Sequence, residues 1–272
     1  MNETTAKVRE HYNKAGLLER IEEVLDTLAT KGEPLTASLL APVDQFHTRG
    51  ILATADLADA VGLNSSMRVL DLGSGIGGPA RYYAATYGCF VEGLDLSPSF
   101  VEAATYLTAR CGMIDRVKFT QGNALEIPFE DVSFDAVFLH HVAMNIADRA
   151  SLYREVVRVL RPNGKFAIHD IVRRSGELVY PAPWAMDSST SFLLSVEETR
   201  AGLEQAGLSI ERWSDETDIS LQWFENVMTN QHPGGSALSR VMGADFPQKV
   251  KNLGRNIAEG RAGVLSAVSI RK

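Results

Sequence analysis

The residues best suited to chemistry stand in one run, Asp71-Leu72-Gly73-Ser74-Gly75-Ile76-Gly77-Gly78-Pro79. Gly73, Gly75 and Gly78 fit G-x-G-x-x-G, a turn whose backbone can take positive φ and admit a ligand where a Cβ would collide. Pro79 suits a first helical turn, whose free N–H groups and dipole favour a polar or anionic group. Asp71, two residues before the first glycine, pulls the other way. A carboxylate repels a pyrophosphate and attracts an ammonium or a sulfonium. The local chemistry leans toward a cationic ligand, with a dinucleotide as the alternative.

Three more polar features follow apolar runs: Asp95 after Phe90–Leu94, Asn123 after Val117–Gly122, and His140-His141 after Phe134–Leu139. The elements that must carry them are readable. Val69, Leu70 and Leu72 form a buried strand, and a helix covers about 77–87. Strands are expected at 90–96, 117–122, 134–139 and 165–172. Ser97-Pro98 caps a helix running to about 111, and another spans about 148–160. Strand–helix alternation predicts a parallel sheet with helices on both faces, which binds ligands at the carboxyl ends of its strands. The glycine turn, Asp95, Asn123 and His140-His141 all fall at such ends, and that convergence makes a site.

The flanks are expected to cover it. Val8, Tyr12, Ala15, Leu18, Ile21, Leu25 and Leu28 recur at helical spacing and predict one helix over 4–30, ended by Lys31-Gly32. A loop with Pro34 and Pro42 and a helix over 47–61 come next. After strand five, 173–195 is a long connection containing Trp184. A helix at 196–206 and a strand near 209–213 follow. Residues 218–262 read as largely helical and include Trp223, with His232 as a turn residue, before a last strand at 264–270. Long connections of this kind are commonly lids. The expected division is an N-terminal helical lid, 1–64, and a main domain, 65–272, with cap insertions at about 173–195 and 218–262.

The 272 residues suffice for one large α/β domain. A net charge of −7, from 27 Lys+Arg against 34 Asp+Glu, disfavours a nucleic-acid partner. Cys89 and Cys111 are the only cysteines and have no metal-like spacing. The polar, acidic amino terminus lacks a signal-peptide core, and no apolar run approaches the roughly 20 residues that span a bilayer. A cytoplasmic protein with no membrane partner and no metal is expected.

Val69-Leu70-Asp71-Leu72-Gly73-Ser74-Gly75-Ile76-Gly77 resembles the first motif of class I S-adenosylmethionine-dependent methyltransferases, and Leu94-Asp95-Leu96-Ser97 resembles their second. Gly122-Asn123-Ala124, Phe134-Asp135 and Glu155–Lys165 match the family too, over about residues 65–172. Asp44-Gln45, His47 and the terminal Glu259-Gly260-Arg261-Ala262-Gly263 resemble the sarcosine/dimethylglycine N-methyltransferase-like small-molecule group. The resemblance implies an α/β, doubly wound, mostly parallel seven-stranded sheet of Rossmann-like form, its last strand antiparallel. By the same resemblance, Asp71, Gly73 and Gly75 border the methionine part of S-adenosylmethionine. Asp95 accepts from the ribose hydroxyls, Leu96 packs on the adenine, and Asn123 and Ala124 meet its edge. His140 lies at the sulfur end and His141 nearer the substrate, while Gln45 and Tyr12 belong to the lid.

Methyl transfer needs an aligned nucleophile, excluded water and, for some acceptors, a proton acceptor. His141 is the candidate base, against the plainer role of shaping the pocket. Trp184 and Trp223, with Phe192 and Phe224, are candidates to bind a methylammonium face-on, against filling a core. Arg173 and Arg174 are candidates to pair with a substrate carboxylate. A small-molecule amine nitrogen is the first expected acceptor and a hydroxyl oxygen the second. A non-catalytic cofactor-binding protein is a further alternative, and a homo-oligomer stays open.

Overall fold

Val69, Leu70 and Leu72 of β1 (Arg68–Leu72) are fully buried, because this strand lies mid-sheet with helices on both faces. The computed structural model describes residues 3–13, 15–28, 34–229 and 236–272. The sheet has seven strands: β1, β2 (Phe90–Asp95), β3 (Val117–Gln121), β4 (Phe134–His140), β5 (Leu160–Arg173), β6 (Leu208–Asp215) and β7 (Ala262–Arg271). Their order is β3-β2-β1-β4-β5-β7-β6, and β7 runs antiparallel to β5 and β6. The expected doubly wound, mostly parallel sheet with an antiparallel last strand is the one observed.

The period of two along β1 sorts its side chains between two cores. Leu70 and Leu72 pack with Leu139, Val156 and Ile168 on one face. Val69 packs with Tyr83, Phe138 and Ala167 on the other. The connecting helices are α5 (Gly78–Tyr87), α6 (Pro98–Arg110), α7 (Arg149–Val159) and α8 (Val196–Gln205).

The flanking regions differ from expectation in detail. The single helix expected over 4–30 is two, α1 (Glu3–Tyr12) and α2 (Leu17–Leu28), with Gly16 at φ +66° between them. The expected loop before residue 45 contains a helix, α3 (Ala37–Asp44), whose Leu39 N–H is capped by Thr36 Oγ1 at 3.1 Å. Pro42 lies inside it, and burial of Leu40 and Val43 offsets the lost backbone bond. The next helix, α4 (Ile51–Val61), begins four residues later than expected, because 47–50 form a turn in which Arg49 and Gly50 take positive φ. The C-terminal insertion is helical: α9 (Thr217–Thr229), α10 (Ala237–Met242) and α11 (Phe246–Ala258).

Helices from both ends of the chain share one core. Leu17 and Ile21 of α2 and Leu40 of α3 cluster with Ile76, Phe100, Val241 and Phe246. That packing roofs the carboxyl ends of β1 and β2. Among the described residues no helix is long and apolar enough to cross a membrane, and no His/Cys/Asp/Glu group is arranged for a metal ion. Lys31, Gly32 and His232 lie outside the described residues.

Candidate functional site

The glycine turn leaves β1 toward β2, and both Gly73 and Ser74 donate backbone N–H bonds to Leu94 O, at 2.7 and 3.1 Å. Gly73 and Gly75 have φ of +77° and +54°, and a Cβ on Gly73 would collide with Val142. Gly75 N–H donates to Asp95 Oδ2 at 2.8 Å, and Ser97 N–H donates to Oδ1 at 2.9 Å. Each carboxylate oxygen keeps a further lone pair for a ligand. Desolvation pushes this carboxyl up to about 6, with the backbone bonds from Ser97 and Gly75 opposing it.

A cavity of about 220 Å³ opens above these groups. One end is lined by Gly73, Gly75, Asp95, Leu96, Asn123, Ala124 and Leu125. Asn123 Oδ1 accepts from Leu125 N–H at 3.1 Å, which holds this turn and leaves the amide nitrogen free of that bond. The other end is lined by Tyr12, Phe46, His140, His141, Met144, Asn145, Trp184 and Phe246. No Arg or Lys is among the described lining residues.

Asp71 does not line the cavity. It follows Leu70 in β1 and so faces the Tyr83–Phe138 side, where it is 1% exposed. Burial, reinforced by the charge of Asp95, raises its carboxyl to about 7. Its Oδ2 and the nearby Ser74 Oγ are buried without a hydrogen-bond partner. Neither residue is among those lining the cavity.

The histidines at the end of β4 are held differently. His140 Nε2 lies 2.6 Å from the Tyr83 hydroxyl, and its ring stacks on His47 at 4.5 Å. His141 takes φ +52°, rare for a residue with a Cβ, and its backbone N–H reaches His169 O at 2.9 Å. Its ring stacks on His169 at 5.3 Å, and its Nε2 lies 3.1 Å from Thr48 Oγ1. Burial, and the neighbouring imidazoles after it, hold both histidines well below the ordinary value, so both are neutral near pH 7.

Of the expected site residues, the structure brings Gly73, Gly75, Asp95, Leu96, Asn123, Ala124, His140, His141, Tyr12 and Trp184 onto one cavity. Gln45 is elsewhere: it accepts from the Thr54 hydroxyl at 2.7 Å, inside the turn that joins α3 to α4. Trp223 packs edge-to-face on Phe224, with ring centres 5.1 Å apart, in the core beneath α11 rather than in the cavity. Arg173 and Arg174 pair with Glu198 and Asp215. Phe46, Met144, Asn145 and Phe246 escaped the sequence reading. Each belongs to a stretch whose apolar residues read equally well as core, and only long-range packing turns them inward.

A methyltransferase-domain family model matches residues 70–168. The 27-O-demethylrifamycin SV methyltransferase of Amycolatopsis mediterranei is 31% identical, over 76% of this chain and 76% of that protein. The glycine/sarcosine/dimethylglycine N-methyltransferase of Actinopolyspora halophila is 33% identical, over 47% of this chain and 23% of that protein. The chain spans 30% to 65% of the length of five further curated methyltransferases, less than two thirds in each case. Among solved structures, the geranyl diphosphate C-methyltransferase of Streptomyces coelicolor A3(2) superposes with a TM-score of 0.73 at 17% identity. It covers 100% of this chain and 99% of that one.

Proposed function

Because the chain belongs to the S-adenosylmethionine-dependent methyltransferases, we propose that it methylates a hydroxyl group of a small, uncharged, largely apolar molecule, with His141 as general base. S-adenosylmethionine is the methyl donor, supplying a sulfonium-bound methyl group and departing as a neutral thioether. Asp95, Leu96, Asn123 and Ala124 are proposed to hold its adenosine part, and Gly73, Gly75 and His140 to border its sulfur end. Asp71 is proposed to act through the field of its carboxylate behind the glycine turn. Helices α1 to α4 and the segments 173–195 and 218–262 are proposed as the lids over the acceptor.

The observation that carries the hydroxyl reading is the state of His141. Its Nε2 is engaged by Thr48 and the residue lines the cavity, so Nδ1 is proposed as the nitrogen that meets the acceptor. The ring is neutral, and burial with the neighbouring imidazoles opposes a retained proton, so a base at this position must hand its proton on. A hydroxyl must lose its proton as it gains a methyl group, whereas a neutral amine attacks with a free lone pair. General-base help of this kind is typically worth about 10²–10⁴-fold. The absence of Arg and Lys from the described lining argues against an anionic acceptor, since a buried phosphate or carboxylate needs paired cations.

The amine reading retains one observation in its favour. Tyr12, Phe46, Trp184 and Phe246 line the same cavity, and aromatic faces attract a methylammonium. A methyl-transfer screen over phenols, alcohols, amines and carboxylates, with the new methyl located by fragmentation, decides between them. Products methylated only at nitrogen would sink the hydroxyl reading.

A further inference from the structure

Behind His141 lies a buried polar chain that methyl-donor binding does not use. Thr48, 2% exposed in the turn between α3 and α4, sits between two imidazoles. Its Oγ1 is 3.1 Å from His141 Nε2 and 2.9 Å from His169 Nε2. On the far side of that second ring, His169 Nδ1 is 3.7 Å from Glu216 Oε2. Glu216 in turn accepts from Arg49 Nη1 at 2.6 Å, and Arg49 also pairs with Asp56, whose side chain is 51% exposed. The chain therefore runs from the cavity to a surface carboxylate through one turn of the lid.

We propose that Thr48, His169 and Glu216 form a proton relay behind His141 that carries the acceptor's proton out of the cleft. The proposal rests on the hydroxyl reading, because only an acceptor that sheds a proton during transfer needs it. The acceptor O–H bond breaks, and its electron pair stays on oxygen to form the bond to the methyl carbon. The proton goes to His141 Nδ1. The Nε2 proton of His141 passes to Thr48 Oγ1, the Thr48 hydroxyl proton to His169 Nε2, and the Nδ1 proton of His169 to Glu216 Oε2. No histidine ends charged, and Glu216 ends as a neutral acid.

Three features favour this direction. His141 is buried and faced by the rings of His47 and His169, so a proton retained on it would be opposed by desolvation first and by two neighbouring imidazoles after it. Handing it on removes that cost. Second, the Thr48 carbonyl lies 3.2 Å from His169 Nε2 and accepts an N–H there once the transfer has occurred, although at rest the same carbonyl favours that tautomer over the Nδ1–H form from which the relay starts. Third, Arg49 keeps Asp56 as a partner when Glu216 is neutralised. The 3.7 Å step exceeds a direct hydrogen bond, so the last transfer requires the His169 ring to move toward Glu216. The same turn strains Arg49 to φ +63°, and strain in a non-glycine residue gathers where function requires it.

The test compares wild type with Thr48→Val and Thr48→Ser on two acceptors, an aliphatic alcohol and a phenol that is neutral at the assay pH but far more acidic than the alcohol. Thr48→Val should lose roughly tenfold to a hundredfold in kcat on the alcohol and less than about twofold on the phenol. Thr48→Ser should restore the alcohol rate, and S-adenosylmethionine affinity should stay constant throughout. Equal losses on both acceptors, or none on either, overturn the relay while leaving hydroxyl methylation intact. Wild-type transfer to amines alone overturns the hydroxyl reading and the relay with it. ¹⁵N spectra of the wild-type histidines give a readout that needs no variant and no turnover. The relay requires the resting proton on Nε2 of His141 and on Nδ1 of His169, and the reverse tautomers overturn it.

Discussion

The Tyr12 hydroxyl donates to Asn145 Oδ1 at 2.8 Å, which latches the first helix of the chain onto the turn after β4. Asn145 Nδ2 donates to Trp184 O and Thr190 O at 2.8 and 3.2 Å. One buried amide thus joins three segments around the acceptor end of the cavity. Tyr12→Phe should lower stability by about 1 kcal/mol, the net worth of one hydrogen bond, and raise the acceptor KM severalfold with little change in cofactor affinity. Asn145→Ala strands two buried carbonyls and should cost about 2 kcal/mol or more by chemical denaturation. An unchanged acceptor KM in Tyr12→Phe would separate this latch from acceptor binding.

Asp95 is the residue proposed to hold the adenosine end. Asp95→Ala removes a charge-assisted acceptor of about 1.5–3 kcal/mol, so calorimetry should show S-adenosylmethionine binding weakened by roughly tenfold to a hundredfold. The wild-type carboxyl titrates at about 6, and only the ionised form accepts with both oxygens. Affinity should therefore fall as pH drops through about 6. Flat binding between pH 7.5 and 5 would remove Asp95 from the ribose.

Asp71 should leave a mark on stability. Its folded-state carboxyl titrates at about 7, above the ordinary value of 3.8, so between those limits the folded chain holds a proton that the unfolded chain does not. The associated stability is complete below about pH 4 and is lost as pH rises through about 7. Asp71→Asn cannot lose it. Without cofactor, the Tm of Asp71→Asn minus that of wild type should become more positive from pH 5 to pH 8. A pH-independent difference would show that Asp71 is not titrating in this range.

His141→Gln should lower kcat on alcohols by roughly 10²-fold or more while S-adenosylmethionine affinity, read by calorimetry, stays within about twofold. The side chain keeps a hydrogen-bonding group toward Thr48 but offers no basic nitrogen. An unchanged rate removes His141 from the mechanism.

The two tryptophans should separate cleanly. Trp184 is 1% exposed and lines the cavity, with its indole N–H donating to Ser191 Oγ at 2.9 Å. Trp184→Phe should shift acceptor preference, seen as KM changes that differ between acceptors. Trp223 packs under α11 away from the cavity, so Trp223→Ala should lower stability by about 1–3 kcal/mol and leave relative acceptor KM values unchanged. Altered acceptor preference in Trp223→Ala would show that α9 reaches the acceptor.

The donor half of the site was readable because its code is local. Gly73, Gly75, Asp95 and Asn123 each end a strand whose apolar run, turn glycine or cap is written within a few neighbouring residues. Backbone φ preferences and the two-residue strand period act over that same range. Those signals sufficed for a doubly wound sheet with a cavity at its carboxyl edge. They did not foresee α3, because Pro42 reads as a breaker until the burial of Leu40 and Val43 outweighs its missing N–H.

The acceptor half is another matter. Tyr12, Phe46, Asn145, Trp184 and Phe246 come from five separate segments and meet only because both flanking helical regions pack over one edge of the sheet. Gln45 was expected to face the cofactor, but the turn that follows α3 binds its amide to Thr54. The same turn sets Thr48 between His141 and His169, rings brought side by side by the pairing of β4 with β5. Sequence alone determined the glycine turn and the strand-end acid, which depend on near neighbours, and the family resemblance these motifs carry implied the methyl donor. Tertiary packing decided which side chains line the rest of the cavity and set Thr48 between His141 and His169, 93 and 121 positions away, where no local preference reaches.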